Sequence, residues 1–222
     1  MNGKITDSTL YKIVYPLLVY FVLFNLLYSV FNYINANVFG GIVPGLYCAA
    51  VAGGLTLAVM YPIYKKAAVY SAKPLFEASK LPKEIIYIIS IVALGVVLNL
   101  IVSHFPLSEV SESFSKANEY LNNGDIIAKI LSNVIIVPAL EELVFRGIVC
   151  GELEKKFDTA PTVVLSALIF GILHFNWVQM IYAFIIGLLL GFVYDQTHKL
   201  WVTYAGHALL NLTVVLITFF TN

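Results

Sequence analysis

An all-α fold, a polytopic membrane bundle of about seven transmembrane helices, is what this sequence predicts, on two observations. Of its 222 residues 60% are hydrophobic and only 12% charged, about half the charged share of a soluble domain, and mean hydropathy is +0.88. The apolar residues also gather into runs near the ~20 residues that a helix needs to cross the hydrocarbon. Lys plus Arg and Asp plus Glu balance at 13 each, so nothing in the charge points to nucleic acid and none is expected as a partner. The lipid bilayer is the partner that composition implies.

Four clear runs cover residues 15–33, 42–61, 85–102 and 126–149, and three follow at closer spacing, 162–175, 180–194 and 200–220. The run at 162–175 is short for a full crossing. The chain thus divides into three helices with connecting surface segments, 1–125, and a compact four-helix core, 126–222. Its start, MNGKITDSTLYKIVY, lacks a basic region followed directly by a short apolar core and a small-residue cleavage site, so no removed signal peptide is expected. Lys4, Lys12, Lys65, Lys66, Lys73, Lys80, Lys83, Arg146, Lys155, Lys156 and Lys199 all fall on one side of a seven-span arrangement, whereas the connection 103–125 carries Glu109, Glu112, Glu119 and Asp125 against Lys116. The positive side marks the cytoplasm, which places the N-terminus inside and the C-terminus outside.

Two connections carry apolar residues at helical spacing among polar ones, Val110, Phe114, Ala117 and Leu121 in one and Leu75, Phe76 and Leu81 in the other, as helices lying on a membrane surface do. Small residues mark close helix approach: Gly187 and Gly191 form a GxxxG, and Ala49, Ala50, Ala52, Gly53 and Gly54 cluster on the second run. Cys48 and Cys150 fall on different runs without metal-ligand spacing and are expected to pack as apolar residues.

Against this background the stretch 135–147, IIVPALEELVFRG, stands out, because a charge near the centre of a membrane helix costs roughly 2.5–3.5 kcal/mol on insertion scales and usually marks function. Pro138 has no amide hydrogen, so α-helical counting leaves the carbonyl of Val134 unpartnered and bends the helix one turn before the acids. Glu142 and Arg146, four apart, can form an ion pair. Glu141 points about 100° around the helix and is free to face another element. The fifth run offers Phe170 and His174 in FGILH, and the seventh His207 and Asn211 in HALLN. At about 1.5 Å per residue, Glu141 lies some 8 Å from the cytoplasmic boundary of a ~30 Å core. By the same count His174 lies about 18 Å in from Thr162, and His207 and Asn211 about 10 and 16 Å in from Leu200. These groups share one band in the inner half of the bilayer, while the centres of the first three runs hold no ionisable residue. His104 and His198 sit at polar boundaries and need no special role.

EELVFR, FGILH and HALLN resemble, in order, the EExxxR, FxxxH and HxxxN motifs of the CAAX prenyl protease type II and bacteriocin-processing (CPBP, or Abi) family of intramembrane proteases. The resemblance covers residues 126–215 and implies peptide-bond hydrolysis within the membrane, with a peptide or membrane-protein substrate. The six candidate site residues are Glu141, Glu142, Arg146, His174, His207 and Asn211. Desolvated and without a fixed counter-ion, Glu141 suits a general base, which with His174 would hold and deprotonate the attacking water. His207 and Asn211 could donate to the oxyanion, with Glu142 and Arg146 ordering the helix. No cofactor is expected, although two His and a Glu could also hold zinc. A non-catalytic scaffold or sensor, and a transporter, are the readings from other classes; intact motifs oppose the first, and the missing polar residues in the first half oppose the second. The absence of a targeting signal and the short connections suggest a multi-pass protein of a bacterial plasma membrane.

Overall fold

The structure, a computed structural model, describes residues 8–67, 77–105 and 111–221, with the side chains of residues 122 and 221 left aside. Lys4, Lys73, Leu75, Phe76, Glu109 and Val110, which carry part of the orientation and surface-helix readings, lie outside those residues. The described chain is helical and contains no strand: α1 (Thr9–Val38), α2 (Gly45–Ala67), α3 (Leu81–Ser103), α4 (Glu112–Asn122), a composite α5 (126–153), α6 (Thr159–Ile172), α7 (Trp177–Thr197) and α8 (Leu200–Thr221). Five of these, α1, α2, α3, α7 and α8, are long and apolar enough to cross a membrane. The two other apolar runs became α5, whose winding changes along its length, and α6, only 14 residues long.

Local chemistry sets the ends. Ser8 caps α1 by accepting from the Tyr11 amide at 3.1 Å, Ser111 caps α4 through Phe114, and Asp125 caps α5 through Ala128 at 2.9 Å, each serving a donor that the first turn cannot bond internally. The α1–α2 turn uses Gly40 and Gly41 at φ +67° and +76°, a region costly for other residues. Asn35 clamps that turn, donating to Val43 O at 2.7 Å and accepting from Val43 N at 3.1 Å.

Helices close on one another where a side chain is missing. A Cβ on Gly95 of α3 would lie 2.3 Å from Leu210 Cδ2, and one on Gly206 of α8 2.5 Å from Ile91 Cδ1, so α3 and α8 meet glycine to aliphatic in both directions. The GxxxG of α7 packs as its sequence implies, Gly187 against Ala167 and Gly191 against Val163 of α6. On α2, Ala49 and Ala52 are buried and Gly53 abuts Ile136 of α5, whereas Gly54 faces open space. Both cysteines are buried and unpaired.

Lys199, counted above among the one-sided positive charges, is not a free one. It is buried beneath the α7–α8 turn and donates to Glu84 of α3 at 2.8 Å, with both side chains 4% exposed. His198 beside it caps α7 in a left-handed conformation, φ +51°, and His104 closes the end of α3 at an exposed position.

Candidate active site

The composite helix α5 carries the acids, and its winding decides where they point. Two stretches, Ile130–Ile136 and Glu142–Cys150, are π-wound, with amides bonding five residues back; between them Val137–Glu141 is α-helical. Such π segments are rare and favour functional sites. In the first, the Val137 amide bonds Ser132 O, so the next bond in register would run from residue 138 to Asn133 O. Residue 138 is proline and has no hydrogen to give. Asn211 Nδ2 of α8 donates there instead, at 2.8 Å. The orphaned carbonyl is therefore that of Asn133, one residue before the Val134 expected from α-helical counting, and it is where α8 is keyed to α5.

The acids then separate as the sequence suggested, with one amendment. Glu142 and Arg146 are 1% and 0% exposed, and Arg146 Nε lies 3.4 Å from Glu142 Oε2. Neither of those two atoms has a hydrogen bond among the described residues, so the pair is a Coulombic one. Arg146 Nη2 donates to Gly187 O at 3.4 Å, and its guanidinium lies 4.7 Å from the centre of the Phe170 ring, a cation–π contact. The amendment is that Glu142 also accepts from His207 Nδ1 at 2.9 Å. His207 therefore bridges the two acids, with Nδ1 on Glu142 and Nε2 3.8 Å from Glu141 Oε2. Glu142 does more than neutralise Arg146, since it fixes which face His207 turns to the site. That contact joins residues 65 apart in sequence, and no local spacing announces it.

His174 is placed differently from its expected position within a helix over 162–175. Helix α6 ends at Ile172, and His174 lies in the turn to α7, next to Phe175 at φ +52°. Asn176 caps α7 directly afterwards through Val178 and Gln179, so the chain must reverse within residues 173–176 and no helix can continue there. His174 Nδ1 donates to Phe170 O at 2.8 Å, which fixes the tautomer and leaves Nε2 as an acceptor.

Glu141, His174, His207 and Asn211 line one cavity of about 360 Å³; Glu142 and Arg146 do not. Counting along the runs puts the same four in one band, although His174 reaches the cavity from a turn and not from its helix. Two participants lay outside the candidate set. Phe170 stands edge-on to both imidazoles, 4.9 Å from His174 and 6.3 Å from His207 between ring centres, each at 87°; its spacing one turn before His174 was the available signal. The other is α4, the amphipathic surface helix, whose Ala117, Tyr120 and Leu121 form one wall of the cavity. Tyr120 reaches Gly45 O at 3.4 Å, and Asn133 Nδ2 reaches Leu121 O at 3.4 Å.

The chemistry available is a carboxylate, two imidazoles held by their Nδ1 atoms and a carboxamide around a space large enough for water and part of a peptide. Histidines anchored in this way resemble the outer-shell support of metal ligands, but no three His, Cys, Asp or Glu side chains among the described residues converge closely enough to hold an ion.

Comparison with known proteins finds a family match over the segment that carries most of these residues. Residues 123–213 match the family described as "Type II CAAX prenyl endopeptidase Rce1-like". A Bacillus subtilis (strain 168) protein named "Putative membrane peptidase YdiL" is 32% identical over 87 residues, which is 39% of this chain and 36% of the relative, so the chain spans about a third of that protein's length. No solved structure matches the chain significantly.

Proposed function

Residues 123–213 belong to the Rce1-like family of type II CAAX prenyl endopeptidases, and on that premise we propose that the chain is an intramembrane endopeptidase in which Glu141 activates water against a peptide bond. The observation that carries the proposal is the gathering of Glu141, His174, His207 and Asn211 around one cavity, with the compensated pair Glu142–Arg146 withheld from it.

Glu141 takes a proton from a water held between it and His174 Nε2, and the water oxygen bonds to the scissile carbonyl carbon. The carbonyl oxygen becomes an oxyanion. Asn211 donates one amide hydrogen to Asn133 O and has a second for that oxygen; His207 Nε2, beside Glu141 Oε2, serves it once it shares the proton that Glu141 has taken. One such preorganised donor is worth about 2.7–4 kcal/mol in well-studied sites. When the intermediate collapses, Glu141 returns its proton to the departing amide nitrogen and the C–N bond breaks. Glu142 and Arg146 position His207 and contribute no atom to the exchange. The substrate is a peptide or membrane protein, and the enzyme works in a bacterial plasma membrane with its N-terminus in the cytoplasm.

The test compares peptides extracted from membranes of cells carrying the wild-type protein with those carrying Glu141→Gln. A peptide produced by the wild type and lost in the variant identifies the substrate; identical profiles, with the variant folded and equally abundant, overturn the proposal. The anchored histidines give a zinc mechanism its one point of support, and it is separated by metal analysis of the purified protein with and without chelator. Stoichiometric zinc whose removal ends activity would replace the metal-free scheme.

A further inference from the structure

Every polar group lining the cavity can be asked where its hydrogen bonds go. The two histidines and Asn211 are committed as described above. Asn133 donates to Leu121 O at 3.4 Å, Tyr120 to Gly45 O at 3.4 Å, and Tyr182 to Gly95 O at 3.5 Å. Two lining side chains have no hydrogen bond of their own among the described residues, Glu141 and Gln179. Glu141 is the base of the proposed reaction. Gln179 has no role in it.

Its placement is nonetheless fixed. Gln179 stands in the first turn of α7, and its backbone amide donates to the capping Asn176 Oδ1 at 3.3 Å. Asn176 also takes the Val178 amide at 3.0 Å and is buried, so the backbone carrying Gln179 is held from below while the side chain is left at the cavity wall. A primary carboxamide offers two donors and an acceptor, the complement of a peptide backbone unit. A peptide amide that enters such a cavity without a partner forfeits hydration uncompensated.

We propose that Gln179 is a substrate-binding residue, whose carboxamide pairs with one backbone amide of the peptide close to the scissile bond. The proposal rests on the endopeptidase reading and adds to it the group that sets the register of the chain across Glu141. It implies recognition of main chain rather than of a particular side chain at that position.

The experiment uses the purified full chain in detergent and a quenched fluorogenic pool of capped hexapeptides, with single N-methyl groups scanned across the backbone on either side of the scissile bond. Gln179→Met should raise KM about tenfold, the effect of one hydrogen bond of ordinary strength, with kcat within about twofold of wild type. One N-methyl position should cost the wild type a similar factor and cost Gln179→Met nothing further. Gln179→Glu, which keeps an acceptor, should retain sensitivity to that N-methyl group. A wild-type KM in Gln179→Met, or an N-methyl penalty as large in Gln179→Met as in wild type at every position, overturns the assignment. Failure of the underlying reading looks different: Glu141→Gln would then keep its turnover, whatever Gln179 does to KM.

Discussion

The first three helices and the last four solve different problems with similar composition. Burial of the most apolar stretch is low in α1 and α3, 11% each, but reaches 39% in α2, between the 28% of α8 and the 44% of α7, so charge separates the halves better than burial does: the charged pair that α3 buries, Glu84–Lys199, lies at the end of the helix and ties it to the α7–α8 turn. In the last four helices the pair Glu142–Arg146 is buried within a helix, beside His207. The family match, residues 123–213, begins near the same border. One half is a frame that offers lipid-facing surface and small-residue contacts, and the other holds charge where it is expensive. The frame still reaches the site, because α3 presses Gly95 against Leu210, the neighbour of Asn211 and itself part of the cavity wall.

The largest effect that would sharpen this contrast is on turnover. Glu141→Gln should lower kcat by about 10²–10⁴-fold, the usual contribution of a general base, while its thermal unfolding stays near wild type because the residue lines a cavity; turnover is read from the fluorogenic pool and unfolding from intrinsic fluorescence in detergent. Next come the two buried ion pairs. Arg146→Met leaves Glu142 buried without its counter-charge and should cost about 3–5 kcal/mol, with a fall in activity because the carboxylate that anchors His207 is then uncompensated. Lys199→Met should cost a similar amount through Glu84, yet leave kcat of the surviving folded protein close to wild type. Equal losses of kcat in both variants would erase the distinction between frame and site.

Glycine contacts separate on a smaller scale. Gly95→Ala must displace Leu210 and should cost about 1–3 kcal/mol by overpacking, with a measurable fall in kcat. Gly54→Ala meets nothing within 4 Å and should be neutral or stabilise by up to ~1 kcal/mol, since alanine is the better helix former. The smallest effect concerns Asp125, where the Ala128 amide first, and then the Tyr47 hydroxyl, hold the carboxyl below its ordinary pKa. A depressed carboxylate stabilises the fold above its unfolded-state pKa and ceases to do so as pH falls through the folded one. The melting difference between wild type and Asp125→Asn should therefore be present at pH 7 and fade from roughly pH 4 downward.

Much of this was legible in the sequence because the signals are local or follow from depth. Glu142–Arg146 is a four-residue spacing, and counting along each run put Glu141, His174, His207 and Asn211 in one band. What could not be read depends on contacts between distant residues. Nothing near Pro138 announces π winding, since the carbonyl it strands is satisfied by Asn211, 78 residues away. The exit of His174 from its helix follows from the cap that Asn176 gives the next one, a cue visible in hindsight in the FNW triplet. Glu142 contacts His207 only once α5 and α8 are side by side. Gln179 carries no motif, and what distinguishes it is that the other polar side chains of the cavity, Glu141 aside, are hydrogen-bonded to neighbours distant in sequence or, for His174, to the preceding helix.

The shortness of α6 has a consequence for hydration. Fourteen residues rise about 21 Å, some 9 Å less than a ~30 Å hydrocarbon core, so the polar turn bearing His174 ends short of the far face. Backbone outside a helix is tolerated at such depth only against protein or a water-filled cavity, and a bilayer meeting a short helix thins around it. The proposed hydrolysis needs water beside Glu141, and on that proposal the length of α6 sets how far the water must travel. Membrane thickness is in this sense a term in the rate: reconstituted in lipids of increasing acyl length, the protein should lose kcat while keeping its fold, because the solvent that is its second substrate becomes dilute.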